Sequence, residues 1–163
     1  MQTKTVSAIQ IRLAEDIDAG AIAALLFESF AEYESLYTPE GFAATAIAPE
    51  QIAKRIAEGS VWVAVCGEMI AGTISVIRKE NSLYLRGMAV LPAARGQRIG
   101  ELLLTHVEQF AAAKDFRRLL LSTTPFLDRA IRLYEHFGFR RTDEGPHELF
   151  GTPLFSMEKV LSD

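Results

Sequence analysis

The segment from Leu83 to Leu104 contains residue types whose spacing is suited to binding an anion. An apolar run ends at Pro92, and two arginines and two glycines follow just before an apolar pattern with helical period. These four residues are Arg95, Gly96, Arg98 and Gly100. A helix N-terminus offers unpaired backbone N–H groups and about half a positive charge. The segment therefore predicts a strand, a tight turn and a helix that together bind a phosphate-bearing ligand.

Two other phosphate-binding patterns are missing from the sequence. It contains neither G-x-x-x-x-G-K-[ST], which is typical of nucleoside triphosphate sites, nor G-x-G-x-x-G, which is typical of dinucleotide sites. Kinase and dehydrogenase interpretations therefore lose their main support.

Composition narrows the class of protein further. A length of 163 residues with 49% hydrophobic content predicts one domain, residues 1–163, with a sizeable core. The net charge of -4 argues against a nucleic acid partner. The single cysteine, Cys66, excludes an internal disulfide and is expected to be a buried structural thiol. No metal site is expected, since His106, His136 and His147 have no ligand partners at metal-binding spacing.

The sequence also bears on location. No apolar run reaches the length of about 18 residues that a membrane span needs. The first ten residues have no apolar core of the kind found in signal peptides. The expectation is a cytoplasmic protein without a membrane partner.

Apolar periodicity and turn residues predict the element order β-α-α-β-β-β-α-β-α-β-β. The predicted strands are Ile9 to Leu13, Val61 to Cys66, Met69 to Ile77, Leu83 to Val90, Arg118 to Ser122, Phe139 to Thr142 and Leu154 to Val160. Four helices are predicted. The first begins after Asp16 or Asp18 and ends near Phe30, and the others cover about Pro49 to Gly59, Gln97 to Ala113 and Phe126 to Phe137. The segments Tyr33 to Pro49 and Thr142 to Pro153 are predicted to be loops, and Gly87 is expected to mark a β-bulge.

Two motifs stand at informative places in this order. The first is Val90-Leu91-Pro92 followed by Arg95-Gly96-Gln97-Arg98-Ile99-Gly100, which matches V-x-P followed by R/Q-x-x-G-x-G/A except at Arg98, where glycine is usual. The second is A-x-x-L-Y-x-x-x-G-F, which is matched by Ala130, Leu133, Tyr134, Gly138 and Phe139. With these motifs the chain resembles the GCN5-related N-acetyltransferase (GNAT) family over about Ile9 to Val160.

The resemblance implies a single-domain α/β fold with a mixed, mostly antiparallel sheet of about six or seven strands. About four helices would flank this sheet, and a V-shaped opening would separate its central strands. The implied activity is direct transfer of an acetyl group from acetyl-CoA, the co-substrate, to a primary amine of a small molecule. A homodimer is a further possibility that the resemblance allows.

The resemblance also assigns residues to acetyl-CoA. The implied set is Met88, Ala89, Val90, Arg95, Gly96, Gln97, Arg98, Ile99, Gly100, Glu101, Thr123 and Tyr134. A backbone N–H near Met88 and Val90 would polarise the thioester carbonyl. Tyr134 would donate a proton or a hydrogen bond to the departing thiolate, because a phenol is protonated at neutral pH.

Two departures from the family pattern leave alternatives open. At Arg98, either a helical backbone turns the side chain outward so that it contacts a phosphate itself, or the turn holds phosphate less tightly than in relatives. Leu127 replaces an asparagine that relatives often carry. With leucine there, the cofactor would meet an apolar side chain, or its polar partner would instead be Thr123, Thr124 or Asp128. A noncatalytic acyl-CoA sensor or scaffold, an acetyltransferase for protein or peptide amines, and a transferase of longer acyl groups or to hydroxyls remain alternatives.

Residues for the acceptor are expected in the two predicted loops and on the strand before the turn. Tyr33, Tyr37, Phe42 and Phe150 would wall a pocket. Arg86 would recognise an acidic group on the substrate or pair with a glutamate. Candidates for the general base are Glu28, Glu32 and Glu34, with no choice among them, and Glu34 or Glu148 would attract a cationic amine.

Overall fold

The structure is a computed structural model, which describes residues 8–161. Within this range the α-helices are α1 (Ala19–Phe30), α2 (Pro39–Thr45), α3 (Pro49–Ala57), α4 (Ile99–Ala113) and α5 (Asp128–His136). The strands are β1 (Ile9–Leu13), β2 (Val61–Cys66), β3 (Met69–Lys79), β4 (Ser82–Val90), β5 (Arg118–Thr123), β6 (Arg140–Thr142), β7 (Glu148–Leu149), β8 (Thr152–Pro153) and β9 (Phe155–Val160). Short 3-10 helices lie at Asp16–Asp18, Ala31–Leu36 and Pro92–Ala94.

One sheet contains seven of these strands, in the spatial order β1-β2-β3-β4-β5-β9-β6. Every neighbouring pair is antiparallel except β4 and β5, which run parallel. The strands β7 and β8 form a separate antiparallel hairpin. The mixed, mostly antiparallel sheet predicted from the sequence is confirmed.

The parallel pair opens into a V. β4 and β5 pair only from Ser82 to Leu85, opposite Arg118 to Leu121, although both strands continue further. Gly87 has a φ of 62°, in the left-handed region that glycine adopts readily. Gly87 lies where the register between β4 and β3 shifts, opposite Thr73 to Ser75 of β3. The bulge bends β4 away from β5 and leaves one edge of β4 without a strand partner.

Apolar side chains cover both faces of the sheet. On one face α4 inserts Leu103, Leu104 and Val107, which are fully buried, and on the other α1 and α3 insert Leu25 and Ile52. Burial of a side chain of this size stabilises the folded chain by about 1.5–3 kcal/mol. Because α1 and α3 lie on one face of the sheet and α4 lies on the other, helices from both faces border the opening between β4 and β5.

The segment Tyr33 to Pro49 is not a loop, contrary to prediction. It contains most of a 3-10 helix and all of α2, which begins at Pro39. The Thr38 hydroxyl accepts a hydrogen bond from the Gly41 N–H at 2.9 Å, so Thr38 caps a helix whose first residue is proline. Threonine before proline is a start signal for a helix, and the sequence interpretation missed it.

The segment Thr142 to Pro153 also differs from its prediction as a loop, since it contains the β7–β8 hairpin. The two segments support each other: the Thr38 N–H donates to the Thr152 hydroxyl at 2.9 Å, and the Thr38 hydroxyl donates to the Phe150 carbonyl at 2.8 Å. These contacts join residues more than a hundred positions apart in sequence, which no local pattern predicts.

The starts of two helices and the burial of Cys66 also differ from the sequence predictions. α4 begins at Ile99 rather than Gln97, and α5 begins at Asp128 rather than Phe126. Cys66 is half-buried at the end of β2, not fully buried as expected. Between residues 8 and 161 there is no helix with the length and apolarity to cross a bilayer.

Candidate active site

A cavity of about 620 Å³ occupies the opening between β4 and β5. Its lining contains most of the residues predicted for acetyl-CoA: Met88, Ala89, Val90, Arg95, Gly96, Arg98, Ile99, Gly100, Glu101, Thr123 and Tyr134. It also contains Tyr33, Tyr37 and Arg86, which were predicted for the acceptor. Gln97 and Phe150 are not among the described residues that line it. The fold thus brings together residues that are up to about a hundred positions apart in sequence.

The turn before α4 has a backbone shape that the sequence interpretation did not foresee. Arg98 is not helical: its φ of 63° and ψ of 24° place it in the left-handed region, and α4 begins only at Ile99. Gly96 also has a positive φ, of 91°. A non-glycine residue therefore adopts the conformation for which the family pattern uses glycine. Left-handed residues before a helix direct successive N–H groups toward one point, which is suited to an anion.

The arginine side chains of the turn are already paired. Arg98 is largely exposed and its Nε donates to Glu101 at 3.1 Å, one turn along the helix. Arg95 donates to Glu32 at 2.6 Å. The prediction that Arg98 extends from a helix to contact phosphate is wrong in its backbone geometry. Both guanidiniums are thus occupied, whereas the N–H groups in the first turn of α4 have no helical acceptors.

Gly100, in the first turn of α4, allows close packing beneath this turn. A Cβ added there would lie 2.7 Å from Leu133 Cδ2 and 3.2 Å from Met88 Cε. Glycine therefore lets α4 approach α5 and β4, and it places the N-terminus of α4 at the cavity.

Tyr134 lies on α5 and faces β4 across the cavity. Its side chain is 8% exposed, its hydroxyl donates to Met88 Sδ at 3.9 Å, and its ring contacts Phe139 edge-on at 5.8 Å. Burial raises the pKa of Tyr134 to about 12, and the nearby Tyr37 contributes to the rise. The phenol is therefore protonated throughout the neutral range and presents a donor to the cavity.

The start of α5 shows how the chain responds to the leucine at position 127. Leu127 is the N-cap residue of α5 and provides no side-chain hydrogen bond to the helix, and neither Thr123, Thr124 nor Asp128 replaces it as a cap. Leu127 and Thr123 both line the cavity, Leu127 with an apolar surface. A ligand passing this point would meet an apolar contact where relatives often offer an amide.

Comparison with known proteins decides the family. Residues 23–139 match the family model described as "Acetyltransferase (GNAT) family". The chain belongs to the GNAT family. It is similar to the probable N-acetyltransferase family 8 member 5 of Mus musculus, with 35% identity over 94 residues, 53% of this chain and 40% of that protein. It is also similar to the N-acetylaspartate synthetase of Danio rerio, with 35% identity over 85 residues, 51% of this chain and 30% of that protein.

The fold of this GNAT chain agrees with solved structures. The PaiA N-acetyltransferase of Thermoplasma acidophilum, solved in complex with coenzyme A, superposes with a TM-score of 0.81 at 20% identity and covers 94% of this chain and 99% of its own. At this identity the likeness establishes the fold. The chain spans less than half the length of the two curated relatives named above.

Tyr33 and Tyr37, which were predicted to contact the acceptor, line the part of the GNAT cavity that we call the acceptor end. Tyr37 packs edge-on against Phe126 with ring centroids 4.9 Å apart, and Tyr33 lies 6.1 Å from the same ring. Burial raises the pKa of Tyr37. Phe150, in contrast, is 65% exposed at the tip of the β7–β8 hairpin, where its φ of 49° fits a turn, and Leu149 lines the cavity instead.

The glutamates predicted for this end do not reach it. Glu28, Glu34 and Glu148 are not among the described residues that line the cavity, and Glu32 is engaged by Arg95. Of the described lining residues, the only carboxylate is Glu101, which belongs to the first turn of α4. Neither Glu34 nor Glu148 lines the cavity, and their attraction of a cationic amine stays a prediction.

Two arginines line the cavity where β4 parts from β5, and one of them was not predicted from the sequence. Arg86 on β4 donates to Glu58 at 3.4 Å, while its Nε is buried without a hydrogen-bond partner among residues 8–161. Arg55 on α3 reaches the cavity beside the bulge, since a Cβ on Gly87 would lie 3.0 Å from Arg55 Nη1. The available signal was spacing: Arg55 follows the buried Ile52 by three residues and shares its helix face.

The electrostatics of Arg55 are unusual. Burial lowers its pKa to about 10, the positive charge of Arg86 contributes to the decrease, and Glu58 partly opposes the shift. Over residues 8–161 no hydrogen bond or ion pair satisfies the Arg55 guanidinium.

No group of three or more His, Cys, Asp or Glu within residues 8–161 could hold a metal ion.

Proposed function

We propose that the chain is an acetyl-CoA-dependent N-acetyltransferase that transfers an acetyl group directly to a primary amine of a small molecule. The observation that carries this proposal is the opening between β4 and β5, which has an anion-binding turn at one side and the buried Tyr134 phenol facing the bare edge of β4. Family membership makes the same reaction class the natural interpretation.

The residues of the turn fit the phosphates of coenzyme A. Gly96 and Arg98 are left-handed, α4 starts directly after them, and a Cβ at Gly96 would meet no atom within 4 Å. The N–H groups of Ile99, Gly100 and Glu101 belong to the first turn of α4, where a helix has no carbonyl partners for them. These groups would bind phosphate oxygens. Arg95 and Arg98 would add net positive charge only by leaving Glu32 and Glu101.

The edge of β4 would bind the pantetheine arm. Beyond Leu85 this edge has no strand partner, so the backbone groups that face the opening are available to an extended ligand. The carbonyls of Arg86 and Val90 are excluded, because they already accept hydrogen bonds from the Ser75 and Ser29 hydroxyls. An N–H from Met88 to Val90 would donate to the acetyl carbonyl oxygen and stabilise negative charge that develops there, an effect of about 3–4 kcal/mol in comparable sites. Acetyl-CoA supplies the acetyl group as a thioester.

Tyr134 would act on the sulfur by hydrogen bonding. Its pKa is about 12, whereas an ordinary thiol has a pKa of about 8.5, so complete proton transfer from the phenol to a thiolate would be uphill. A hydrogen bond from the phenol stabilises the thiolate without that cost. The Tyr134 hydroxyl already lies beside Met88 on β4, at the height in the opening where the β4 donors are proposed to act.

A small acceptor fits the acceptor end better than a protein segment does. The cavity is covered on this side by α2 and the β7–β8 hairpin, which are linked through Thr38 and Thr152, and it is walled by Tyr33 and Tyr37. A pocket closed by two linked segments accommodates a compact molecule more readily than an extended peptide.

The test is a screen of amines, amino acids, polyamines and peptides with acetyl-CoA, in which release of free CoA is measured for the wild type and for Tyr134→Phe. We expect turnover with at least one small amine, reduced in Tyr134→Phe while acetyl-CoA affinity measured by calorimetry stays the same. Tight acetyl-CoA binding without turnover of any acceptor would favour the noncatalytic sensor. Absence of CoA binding would contradict both interpretations.

A further inference from the structure

We propose that the acceptor carries a carboxylate, which Arg55 and Arg86 bind at the end of the cavity, so that the amine substrate is an amino acid or a similar amino carboxylate. This inference rests on the proposed function and names its substrate class. It is carried by four observations: the position of the two guanidiniums, their unused donors, the local charge balance and the absence of carboxylates from the described lining around them.

The first observation is position. Arg86 is the first β4 residue beyond the paired region that ends at Leu85, so it lies where the opening begins. Arg55 reaches the same point from α3, because its Nη1 lies 3.0 Å from where a Gly87 Cβ would stand. The bulge at Gly87 therefore makes room for the Arg55 guanidinium beside β4. Both arginines line the cavity that holds Tyr134.

The second observation is that these guanidiniums have unused donors. Among residues 8–161, Arg55 has no hydrogen bond or ion pair, and Arg86 Nε is buried without a partner. The one contact, between Arg86 and Glu58, is long at 3.4 Å, and the Glu58 side chain is 57% exposed. Buried donors without acceptors destabilise a fold, and an arginine offers a planar fork that matches a carboxylate.

The third observation is charge. Arg55, Arg86 and Glu58 together carry one net positive charge, which a single carboxylate neutralises. The other arginines of the cavity differ: Arg95 contacts Glu32, Arg98 contacts Glu101, and Arg129 is exposed to solvent. Apart from the exposed Arg129, Arg55 and Arg86 are therefore the described cavity arginines whose positive charge is not balanced by nearby carboxylates. The lowered pKa of Arg55 has the same origin, since burial and Arg86 both disfavour its charged form.

The fourth observation argues against the opposite class of acceptor. The described lining at this end contains no carboxylate that would attract a polyamine or another multiply charged cation. Two guanidiniums beside a single exposed glutamate would repel such a substrate. An amine with a carboxylate meets attraction at one end and an aromatic wall of Tyr33 and Tyr37 alongside.

The experiment compares amines that differ only in the carboxylate. Amino acids are assayed beside their carboxamides, beside polyamines and beside amines with a phosphate monoester, using the wild type, Arg55→Gln and Arg86→Gln. Lys54→Gln is the matched control, because Lys54 lies on the same helix, is exposed and does not line the cavity. Binding of N-acetyl amino acids in the presence of CoA, followed by thermal shift, provides a readout that needs no turnover.

We expect the wild type to prefer amino acids to their carboxamides. Each arginine variant should lower kcat/KM for the amino acid by about 10- to 100-fold, as is typical when a hydrogen bond to a charged group is removed. The larger part should be a rise in KM, with a smaller decrease in kcat because the bound amine stays more protonated. Activity on carboxamides and affinity for CoA should change little, and Lys54→Gln should behave as wild type. Arg55→Gln should fold about as stably as wild type, because it removes a partly buried guanidinium that makes no hydrogen bond or ion pair with residues 8–161.

The outcomes separate this inference from the proposed function. Transfer to carboxamides or polyamines at least as fast as to amino acids would overturn the carboxylate site and leave the acetyltransferase intact. A preference for phosphate-bearing amines would likewise overturn it. Absence of transfer to any amine, with N-acetyl amino acids still bound in a manner that needs Arg55 and Arg86, would support the site and contradict the enzyme. Absence of both transfer and carboxylate binding would overturn both.

Discussion

The left-handed Arg98 allows a sharp test of the turn before α4, through the paired variants Arg98→Gly and Arg98→Ala. With a φ of 63°, Arg98 carries a backbone strain of about 1–2 kcal/mol that glycine would not have. Glycine in turn loses about 0.4–1 kcal/mol through the greater freedom of the unfolded chain. The exposed ion pair with Glu101 contributes about 0.3 kcal/mol and is absent from both variants.

These contributions rank the three proteins. Arg98→Gly should be about 0.5 kcal/mol more stable than wild type, and Arg98→Ala, which keeps the strain without the ion pair, about 0.3 kcal/mol less stable. Urea denaturation with a common m-value measures the difference of about 0.8 kcal/mol, which corresponds to about 2–3 °C in Tm for a chain of this size. An alanine variant as stable as the glycine variant would refute the assignment of Arg98 to the left-handed region.

The same pair of variants tests how the turn binds phosphate. If backbone N–H groups provide the site, as the geometry indicates, Arg98→Gly should bind CoA within about threefold of wild type, since one exposed charge contributes less than about 1 kcal/mol. Isothermal titration calorimetry at two salt concentrations measures this. A loss of affinity well beyond threefold in both variants would show instead that the guanidinium leaves Glu101 and holds the phosphate.

Three further predictions concern the remaining parts of the site and fold. Tyr134→Phe should lower kcat by about 10- to 100-fold with unchanged CoA affinity. A pKa of about 12 keeps Tyr134 protonated below pH 10, so any alkaline decline of the wild-type rate in that range should persist in Tyr134→Phe. Asp18→Asn should cost about 1 kcal/mol at pH 7 through loss of the ion pair with Arg12 at 2.8 Å. The Arg12 pair lowers the pKa of Asp18 in the folded state, so the stability difference between wild type and Asp18→Asn should be full above the unfolded-state pKa and should vanish as pH falls through the folded-state pKa. Urea denaturation at pH 7 and near pH 3 measures this difference. A stability difference that stays constant between the two pH values would contradict the prediction. Gly87→Ala should destabilise the chain by about 1–2 kcal/mol and raise the KM for the acceptor. Gly59→Ala is the control: Gly59 also has a positive φ, but an added Cβ would meet no atom within 4 Å, so this variant should lose stability without a change in KM. Equal KM values for the two variants would contradict the role of the bulge.

The parts of the fold that the sequence predicted are those with strong local signals. The apolar run of Val61 to Cys66 and the turn at Gly67 predict a hairpin, which the structure contains. Pro92 after an apolar run predicts the end of β4, which lies at Val90. The helix carrying Tyr134 follows from its apolar period and from Gly138, whose φ of 102° fits the end of a helix.

The parts that the sequence did not predict depend on distant contacts or on an unusual backbone. Nothing local distinguishes a left-handed Arg98 from a helical one, because few arginines adopt this conformation. The exposed Phe150 was assigned to the pocket on its aromatic character alone, although the hydrogen bonds of Thr38 to this hairpin decide where it points. Arg55 and Arg86 come together only because α3 packs over the bulge of β4, and no short motif contains both.

The arginine pair also bears on the proton that the acceptor amine must lose. In a free amino acid the carboxylate stabilises the neighbouring ammonium ion and so raises the pKa of the amine. When Arg55 and Arg86 engage that carboxylate, its field is neutralised and the ammonium loses this stabilisation, so the pKa of the amine falls toward neutrality. A lower amine pKa reduces the demand on a general base, which agrees with an acceptor end whose described lining contains no carboxylate. Under the proposed function, water at the open side of the cavity would then suffice to accept the proton, and substrate recognition and nucleophile activation would depend on the same two side chains.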